Sequence, residues 1–258
     1  MNIVKQTFSE FVNQHKCVTP LEYVLEILPK CSENGPWVAG GSLLRTYTGQ
    51  PLDSDIDVFF QSREQLERFI IDFALKAHKG DPETRKTNDY MIKQTMVNEW
   101  HTTMTVNYMD KDWKIQCVSF VYFKNIDELF ESFDFDVCMW AYDGQYVHTH
   151  ENTINSVKTK MIALKKINYP SVTLKRLVKY MRQGYNVSDD DVLLLARSFR
   201  STKKEPKHIM DEHFSKETSS DSGSDYRALK TNGTLTPATA LTGSINITLP
   251  TIPVNYII

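Results

Sequence analysis

The stretch WVAGGSLLRTYTGQPLDSDIDVFF, residues 37 to 60, places two glycines and a serine ahead of three alternating acids, Asp53, Asp55 and Asp57. Positions i, i+2 and i+4 of a β-strand face the same side of a sheet. We therefore expect these three carboxylates to lie along one strand and to share one face. Three carboxylates on one face repel each other unless water or cations compensate their charge. The fold must therefore leave this acidic face open to solvent or to a cation.

The composition is that of an ordinary globular protein. Its 258 residues, 41% hydrophobic and 24% charged, allow one large domain or two small ones. The net charge of −2 argues against a protein that coats nucleic acid by bulk charge alone. Four scattered cysteines without a CxxC pair indicate a reduced, cytoplasmic protein. No apolar run is long enough to cross a membrane and no signal-peptide core precedes the chain, so we expect no membrane partner.

The hydrophobic pattern predicts an α+β protein in which a mixed sheet is flanked by helices, with a small helical appendage and an irregular tail at the C-terminus. The predicted helices cover residues 3–15, 20–28, 43–47, 62–80, 125–132, 151–163, 173–183 and 189–200. The predicted strands cover residues 37–39, 55–60, 102–108 and 113–120, and residues 133–142 are predicted as a buried strand or a strand–helix junction. We expect a head over residues 1–150, a basic helical region over 151–200, and a linker with an uncharged tail over 201–258. That tail is either disordered or able to add a strand to a partner.

The glycines and acids of the opening stretch suggest phosphate chemistry. Glycines between a strand and a helix let the backbone approach a phosphate, and the helix N-terminus offers N–H groups with a positive dipole end. Gly40 and Gly41 fit this role, and Ser42 adds a hydroxyl donor. Asp55 and Asp57 suit Mg²⁺, which prefers carboxylate and phosphate oxygens. A phosphate cradle beside a carboxylate pair is what nucleotidyl transfer requires. For the glycines taken alone, a plain turn beside an exposed strand end is the alternative.

On these residues the chain resembles the DNA polymerase β-like nucleotidyltransferases, whose marks are a Gly-Gly/Ser turn and an Asp-x-Asp strand. DFDVCMWAYD over residues 134–143 resembles the RRDFTINAMAYD segment of class II CCA-adding enzymes and bacterial poly(A) polymerases. LKRLVKY over residues 174–180 is loosely similar to their LRxLRxxRF helix. The resemblance covers about residues 35–187. It implies a nucleotidyltransferase sheet, an NTP substrate, and Mg²⁺ or Mn²⁺ as cofactor.

The same resemblance implies the roles of individual residues. Asp55 and Asp57 would be metal ligands and catalytic carboxylates, and Asp134 would be a further catalytic carboxylate. Either Asp57 or Asp134 would help to deprotonate the acceptor. Asp53 would be a solvated or hydrogen-bonded neighbour at the strand entry. The residues implied in nucleotide binding are Gly40, Gly41, Ser42, Arg45, Arg176 and Lys179. Among these, Arg176 is the expected partner of the triphosphate.

The chain also departs from this family. The family's third carboxylate lies in a segment like VEVATF, whereas WKIQCVSF stands here over residues 113–120, with Gln116 in place of the acid. A glutamine can ligate through its carbonyl but cannot act as a base or a full counter-charge. Asp134 or Asp136, expected on one face of a strand, would take over, or else the site binds one ion well and a second poorly. The two arginines before DFTIN and the EDxxR element are missing, and the chain is too short for a CCA-adding enzyme's neck, body and tail. We do not expect a complete CCA-adding enzyme.

The segment from Asn152 to Ser188 contains eight Lys/Arg and no Asp or Glu. On the predicted helix, one face carries the basic side chains Lys175, Lys179 and Arg182. The opposite face is predicted to carry the apolar side chains Leu174, Leu177, Val178 and Met181. A solvated helix face, a triphosphate clamp and a groove for an RNA backbone all remain open.

Other residues with chemical potential favour ordinary structural roles. His148 and His150 are predicted as loop residues rather than metal ligands, because two histidines without further ligands rarely form a site. The aromatic residues Tyr122, Phe123, Trp140 and Tyr142 are predicted to lie in the core, and base stacking by one of them is the alternative.

The expected function is Mg²⁺-dependent transfer of a nucleoside monophosphate from an NTP to a hydroxyl acceptor. An RNA 3′ end, tRNA in particular, is the favoured acceptor because of the class II-like segment and the basic helices. One alternative is transfer to a protein or small molecule, as in nucleotidylating toxins and antibiotic-modifying enzymes. Another is a nucleotide-binding protein without catalysis, which Gln116 and the missing arginines support.

Overall fold

The structure is a computed structural model, and it describes residues 3–13, 20–77 and 90–201. Its strands are β1 (Ile3–Thr7), β2 (Trp37–Ala39), β3 (Ile56–Phe59), β4 (Met91–Val97), β5 (His101–Tyr108), β6 (Lys111–Val118), β7 (Trp140–Tyr142), β8 (Tyr146–His150), β9 (Met161–Ile162) and β10 (Asn186–Val187). Its helices are α1 (Phe8–Asn13), α2 (Pro20–Ile27), α3 (Gly41–Thr48), α4 (Arg63–Lys76), α5 (Ile126–Glu131), α6 (Glu151–Thr159), α7 (Pro170–Arg182) and α8 (Asp189–Ser201). The predicted linker and tail from residue 202 onward lie outside the described residues.

Eight strands form one mixed sheet in the order β1-β8-β7-β2-β3-β6-β5-β4, and β9 pairs with β10 separately. Strand β2 runs antiparallel to both β3 and β7, whereas β3 runs parallel to β6. The parallel pair is possible because α4, β4 and β5 lie between β3 and β6 along the chain. The predicted α+β class with a mixed sheet flanked by helices is confirmed.

The contacts divide the described chain into two compact units. The first contains residues 3–4, 129–139 and 149–201, and the second contains residues 5–13, 20–77, 90–128 and 140–148. The chain crosses between the units at residues 148–149, and the predicted domain boundary at residue 150 stays a prediction. It also crosses around residues 129–139, a segment that the sequence assigned to the head. The strand-rich unit carries the glycine turn and the acidic strand, and we call it the sheet unit. We call the other the helical unit.

Apolar side chains fill the sheet unit on the inner face of its central strands. In β3, the buried Ile56 and Val58 alternate with part-exposed residues, as a half-buried strand requires. Trp140 is fully buried, and its ring lies 4.4 Å from that of Tyr47. Phe123 is also buried, so the prediction of core positions for Trp140 and Phe123 is confirmed.

The N-terminal prediction was wrong, because residues 3–7 form strand β1 and the helix begins only at Phe8. Thr7 and Glu10 explain the change. The Thr7 hydroxyl accepts the Glu10 N–H at 3.2 Å, and the Glu10 carboxylate accepts the Thr7 N–H at 2.8 Å. This reciprocal capping box starts α1 at Phe8 and leaves the preceding residues free to pair in the sheet.

Most other predicted elements are present, with shifted ends. Helix α4 ends at Lys76, and Gly80, its predicted end, lies outside the described residues. The sequence pattern missed β4, β9 and β10. Residues 133–142 do not form one strand, because the 3₁₀ turn Asp136–Cys138 separates strand β7 (Trp140–Tyr142) from Phe135, which is extended and forms an isolated antiparallel bridge with Leu164. The two histidines at 148 and 150 belong to β8 rather than to a loop.

The basic residues of α7 are exposed as predicted, but only Leu177 of its predicted apolar face is buried. Its buried residues are Pro170, Ser171, Thr173, Leu177 and Tyr180. Leu174, Val178 and Met181 are exposed instead, although Lys175, Lys179 and Arg182 are exposed as predicted. A polar residue such as Thr173 can be buried here because its hydroxyl donates a hydrogen bond to the Asp134 carboxylate. None of the helices in the described ranges has the length and apolarity to cross a membrane.

Replacing Ser62 by Ala should destabilise the sheet unit. The Ser62 hydroxyl accepts the N–H of Gln65 at 3.2 Å and so caps α4. Loss of this cap should cost about 1 kcal/mol and lower the melting temperature by about 2–4 °C. Ser62→Asp, which keeps an acceptor at the cap, should melt with the unchanged protein in the same thermal unfolding experiment. If Ser62→Ala and Ser62→Asp have the same melting temperature, the cap does not contribute to stability.

Candidate nucleotide-binding site

The glycine turn between β2 and α3 leads into a helix N-terminus at which Gly41 is part-exposed and its neighbours Gly40 and Ser42 are buried. Gly40 has φ 84° and ψ −133°, a backbone conformation that favours glycine, and its N–H donates to the Trp140 carbonyl at 2.9 Å. No side chain caps the N-terminus of α3. A Cβ added to Gly41 would meet no atom within 4 Å. The first N–H groups of α3, which have no acceptor within the helix, can therefore be approached closely by an anion.

The acidic strand lies directly beside this turn. Strand β2 pairs with β3 so that Ala39 stands opposite Asp57, and the glycine turn begins at the next residue. Asp57 is part-exposed between the buried Ile56 and Val58, and Asp55, just before the strand, is part-exposed as well. The expectation that Asp55 and Asp57 share one face stays a prediction. The Asp57 side chain lies on the same face of the sheet as that of Ala39, its partner in the register.

Asp53 does not belong to this strand. It is 68% exposed, and its carboxylate forms an ion pair with Arg45 Nη1 at 2.6 Å. The same guanidinium donates to the Pro51 carbonyl at 3.0 Å. The prediction that Asp53 is a neighbour at the strand entry is confirmed, although the expectation of three acids on one strand was wrong. Arg45 ties down the loop between α3 and β3, and its role in nucleotide binding stays a prediction.

Ser42 is fully buried, and in the described part of the chain its hydroxyl has no hydrogen-bond partner. The predicted contact of this hydroxyl with a phosphate stays a prediction. The backbone N–H of Ser42 lies in the first turn of α3, where it has no acceptor within the helix.

Strand β6 supplies the other side of the acidic face. It runs parallel to β3 in a register that opposes Gln116 to Asp57 and Ile115 to Ile56. Gln116 and Lys114 are both part-exposed, between buried neighbours. The amide of Gln116 thus stands beside Asp57, where the resemblance leads one to expect a third acid. The sequence alone gives Lys114 no role, because only the register of β3 with β6 brings it to this face.

Mg²⁺ suits the oxygen donors on this face. It commonly binds to one or two protein carboxylates together with phosphate oxygens of a substrate. Asp55 and Asp57 supply the two carboxylates, and the Gln116 carbonyl is a neutral oxygen donor. The described residues hold no group of three or more His, Cys, Asp or Glu side chains arranged for a metal ion. A cation here would therefore depend on the oxygens of a bound nucleotide.

In the helical unit, the structure brings two predicted site residues together. Asp134 is only 4% exposed, and its carboxylate accepts from Arg176 Nη1 at 2.8 Å and from the Thr173 hydroxyl at 3.1 Å. The Arg176 side chain is 52% exposed. This ion pair links the start of the DFD segment to helix α7. The catalytic role of Asp134 and the nucleotide contacts of Arg176 and Lys179 stay predictions.

The prediction that Asp134 and Asp136 lie on one face of a strand was wrong, because Asp136 lies in a 3₁₀ turn. Its carboxylate accepts from the Ser156 hydroxyl at 2.6 Å and from the Ala163 N–H at 3.0 Å. Burial raises the pKa of this carboxyl, although these hydrogen bonds lower it. The Asp136 side chain is buried and both of its partners belong to the helical unit, so it has a structural role there.

The two histidines of β8 also have structural partners. His148 Nε2 lies 2.6 Å from Asp143 Oδ2, and the N–H groups of Gln145 and Tyr146 donate to the other oxygen of Asp143. Although burial opposes this effect, the three contacts hold the pKa of Asp143 below its ordinary value. His150 is buried, and its ring centroid lies 5.2 Å from that of Phe130.

The comparisons with known proteins identify a family. A model described as Gabija anti-defense 2 family protein matches residues 2–160. A curated relative, Gabija anti-defense 2 of Bacillus phage SPbetaL7, is 23% identical over 171 residues, which make up 65% of this chain. The matched part covers 38% of that relative's length.

Solved structures with a similar fold include CCA-adding enzymes. The Thermotoga maritima CCA-adding enzyme complexed with tRNA matches with a TM-score of 0.54 at 14% identity, covering 78% of this chain and 47% of the enzyme. A CCA-adding enzyme with ATP matches with a TM-score of 0.54 at 13% identity and the same coverage. A complex with CTP matches with a TM-score of 0.51 at 14% identity, covering 78% and 46% of the two chains. At these identities the likeness shows the fold, which is that of the nucleotidyltransferases.

Substitutions at the two glycines of the turn should have opposite effects. Gly41→Ala should keep or slightly raise the melting temperature, because a helical position with open space accepts a methyl group. The same methyl should weaken NTP binding by about tenfold or more, because it stands where a phosphate approaches the N–H groups. Gly40→Ala should instead destabilise the protein by about 1–3 kcal/mol through its positive φ. Unchanged NTP affinity of Gly41→Ala in calorimetric titration would exclude the α3 N-terminus as the phosphate site.

Replacing Arg176 by Met should test the ion pair of the helical unit. The change leaves the buried Asp134 carboxylate without its cation, which should cost about 1–3 kcal/mol of unfolding free energy. Lys179→Met, at an exposed position of the same helix, should change it by less than about 0.5 kcal/mol. Thermal unfolding with and without ATP measures both effects. If Arg176→Met unfolds at the unchanged temperature but loses stabilisation by ATP, Arg176 is a nucleotide contact rather than a structural partner of Asp134.

Proposed function

We propose that this chain, which belongs to the Gabija anti-defense 2 family, is a Mg²⁺-dependent nucleotidyltransferase that modifies a hydroxyl group of a protein of the Gabija defence. The observation that supports this proposal most directly is the register of β2 with β3. It sets the uncapped N-terminus of α3 next to Asp57. A site for phosphates and a site for a cation are then neighbours on one sheet.

The reaction would join the acceptor oxygen to the α-phosphorus of an NTP and break the bond to the oxygen that bridges to the β-phosphate. Pyrophosphate would leave, and the hydroxyl proton would go to a carboxylate. Asp57 is our candidate for that base, because it is part-exposed on the acidic face. Gln116 cannot accept the proton, since an amide is not a base. The backbone N–H groups of Gly41 and Ser42 would hold the triphosphate and orient the α-phosphorus.

Asp55 and Asp57 would hold the Mg²⁺ ion, which supplies positive charge to the phosphate oxygens as negative charge develops there. Arg45 would help indirectly, because its ion pair with Asp53 fixes the loop that leads into the acidic strand. Positioning and charge neutralisation would provide most of the rate, so the protein needs few reacting groups of its own.

The choice of a protein acceptor rests on the family rather than on the fold. The family's name refers to action against a defence, and its matched residues include the whole acidic strand. An RNA 3′ end is what the motif order favours, and one of the similar solved structures is a CCA-adding enzyme bound to tRNA. That likeness, at 14% identity, extends to the fold alone. We therefore make RNA labelling an outcome of the test.

Incubation with each of the four α-³²P-labelled NTPs and Mg²⁺ tests the proposal, with the Gabija proteins or total RNA as acceptor in separate reactions. We expect label on a Gabija protein. Asp57→Asn should reduce this label on the order of 10²-fold or more, because it removes a cation ligand and the base. Asp72→Asn, at an exposed carboxylate of α4, should leave it unchanged. Label only in RNA would overturn the protein acceptor, and absence of any label would overturn transfer.

A second candidate is a protein that binds NTPs without transferring them. Gln116 beside Asp57 favours it, because the acidic face then has one carboxylate fewer than the resemblance implies. This candidate would raise the melting temperature with NTP and Mg²⁺ but release no pyrophosphate. Pyrophosphate release measured in the labelling reactions therefore separates the two functions.

A further inference from the structure

Lys114 stands on the acidic face beside the two carboxylates. Strands β3 and β6 oppose Ile56 to Ile115, and both of these residues are fully buried. Lys114 comes one residue before Ile115 in β6, and Asp55 comes one residue before Ile56, directly before β3 begins. They therefore occupy neighbouring positions on the other, part-exposed face. Adjacent strands are about 4.8 Å apart, so an ammonium group on a four-carbon side chain can reach the carboxylates and any ligand that they hold.

Gln116 stands next to Asp57 in the same way. Across β6, Gln116 faces Thr103 and Lys114 faces Thr105, so the neighbouring positions of β5 carry neutral hydroxyl groups. Asp112, two residues before Lys114 on the same face of β6, forms an ion pair with Lys93 at 2.7 Å. Apart from that pair, the charged groups on this face, counted over residues 55–59, β6 and these two threonines, are the carboxylates of Asp55 and Asp57 and the ammonium of Lys114. The face is therefore short of negative charge for two divalent cations, and it already carries one positive charge of its own.

We propose that this face holds a single divalent cation, on Asp55 and Asp57, and that the Lys114 ammonium supplies the second positive charge by binding a phosphate oxygen of the nucleotide. The inference rests on the proposed function, since it concerns the same nucleotide site. Lys114 is thereby a binding residue for the triphosphate. Gln116 also disfavours a second cation, because the residue beside Asp57 is then a neutral amide and not a carboxylate that could bind the cation.

The number of bound ions tests the inference without any measurement of transfer. Mn²⁺ is the probe, counted by electron paramagnetic resonance after equilibrium dialysis with saturating α,β-methylene ATP, a nucleotide that cannot be cleaved at that bond. Nucleotide without protein serves as the blank. We expect one Mn²⁺ per chain. The double variant Gln116→Glu/Lys114→Met should bind two, because it adds a carboxylate and removes the competing ammonium.

Nucleotide affinity tests the role of Lys114 separately. Lys114→Met should weaken the binding of α,β-methylene ATP by about tenfold and leave the binding of AMP unchanged, because the ammonium contacts the outer phosphates. Lys114→Arg should restore most of the loss. Lys124→Met, at an exposed lysine of the same unit, is the matched control and should bind both nucleotides normally. If Lys114 served only to pair with a carboxylate, Lys114→Met would lower the melting temperature without changing the preference for ATP over AMP.

The outcomes separate this inference from the proposed function. Two Mn²⁺ ions in the unchanged protein would overturn the single-cation site while leaving nucleotidyl transfer in place. One Mn²⁺ ion with no label in the transfer reactions would uphold the single-cation site and overturn the transferase. A chain that binds neither Mn²⁺ nor nucleotide would overturn both.

Discussion

The candidate site depends on the backbone pairing of β2 with β3. This pairing opposes Ala39 to Asp57, so the chain leaves β2 into the glycine turn directly beside a carboxylate. Val38 and Val58 pair in the same ladder and are fully buried, which makes the register costly to change. A slip by one residue would turn Asp57 into the core and Val58 toward solvent. The packing of the core thus also keeps the glycine turn beside Asp57.

The fold is shared with CCA-adding enzymes, but the acidic face is not the one that the resemblance implies. Its third acidic position carries Gln116, and Lys114 adds a positive charge. A fold supports many functions, and the site decides among them. The charged side chains on this face are therefore a better guide to the reaction than the fold of the sheet is. The family match adds that proteins with this sequence pattern are described as acting against a defence.

In the helical unit, residues of a sequence motif have structural partners. The segment similar to RRDFTINAMAYD lacks the family's two arginines, and its first acid pairs with Arg176 instead. Its second acid, Asp136, accepts hydrogen bonds from Ser156 and Ala163. Two carboxylates that look catalytic in a sequence are thus held by partners far along the chain. A motif match cannot reveal these partners, because they are brought close only by folding.

Local patterns in the sequence were sufficient for α2, α4, β5 and β6, where periodicity and caps agree. They were also sufficient for the exposure of Asp57 between the buried Ile56 and Val58, because alternation along a strand is a property of the backbone itself. They failed for β1 and for the exposed side of α7, where pairing partners and neighbouring helices outweigh local preference. The neighbours of Asp57, which are Ala39 on one side and Gln116 on the other, were settled by strand register. Register depends on burial and hydrogen bonding between distant segments, and these exist only in the folded chain.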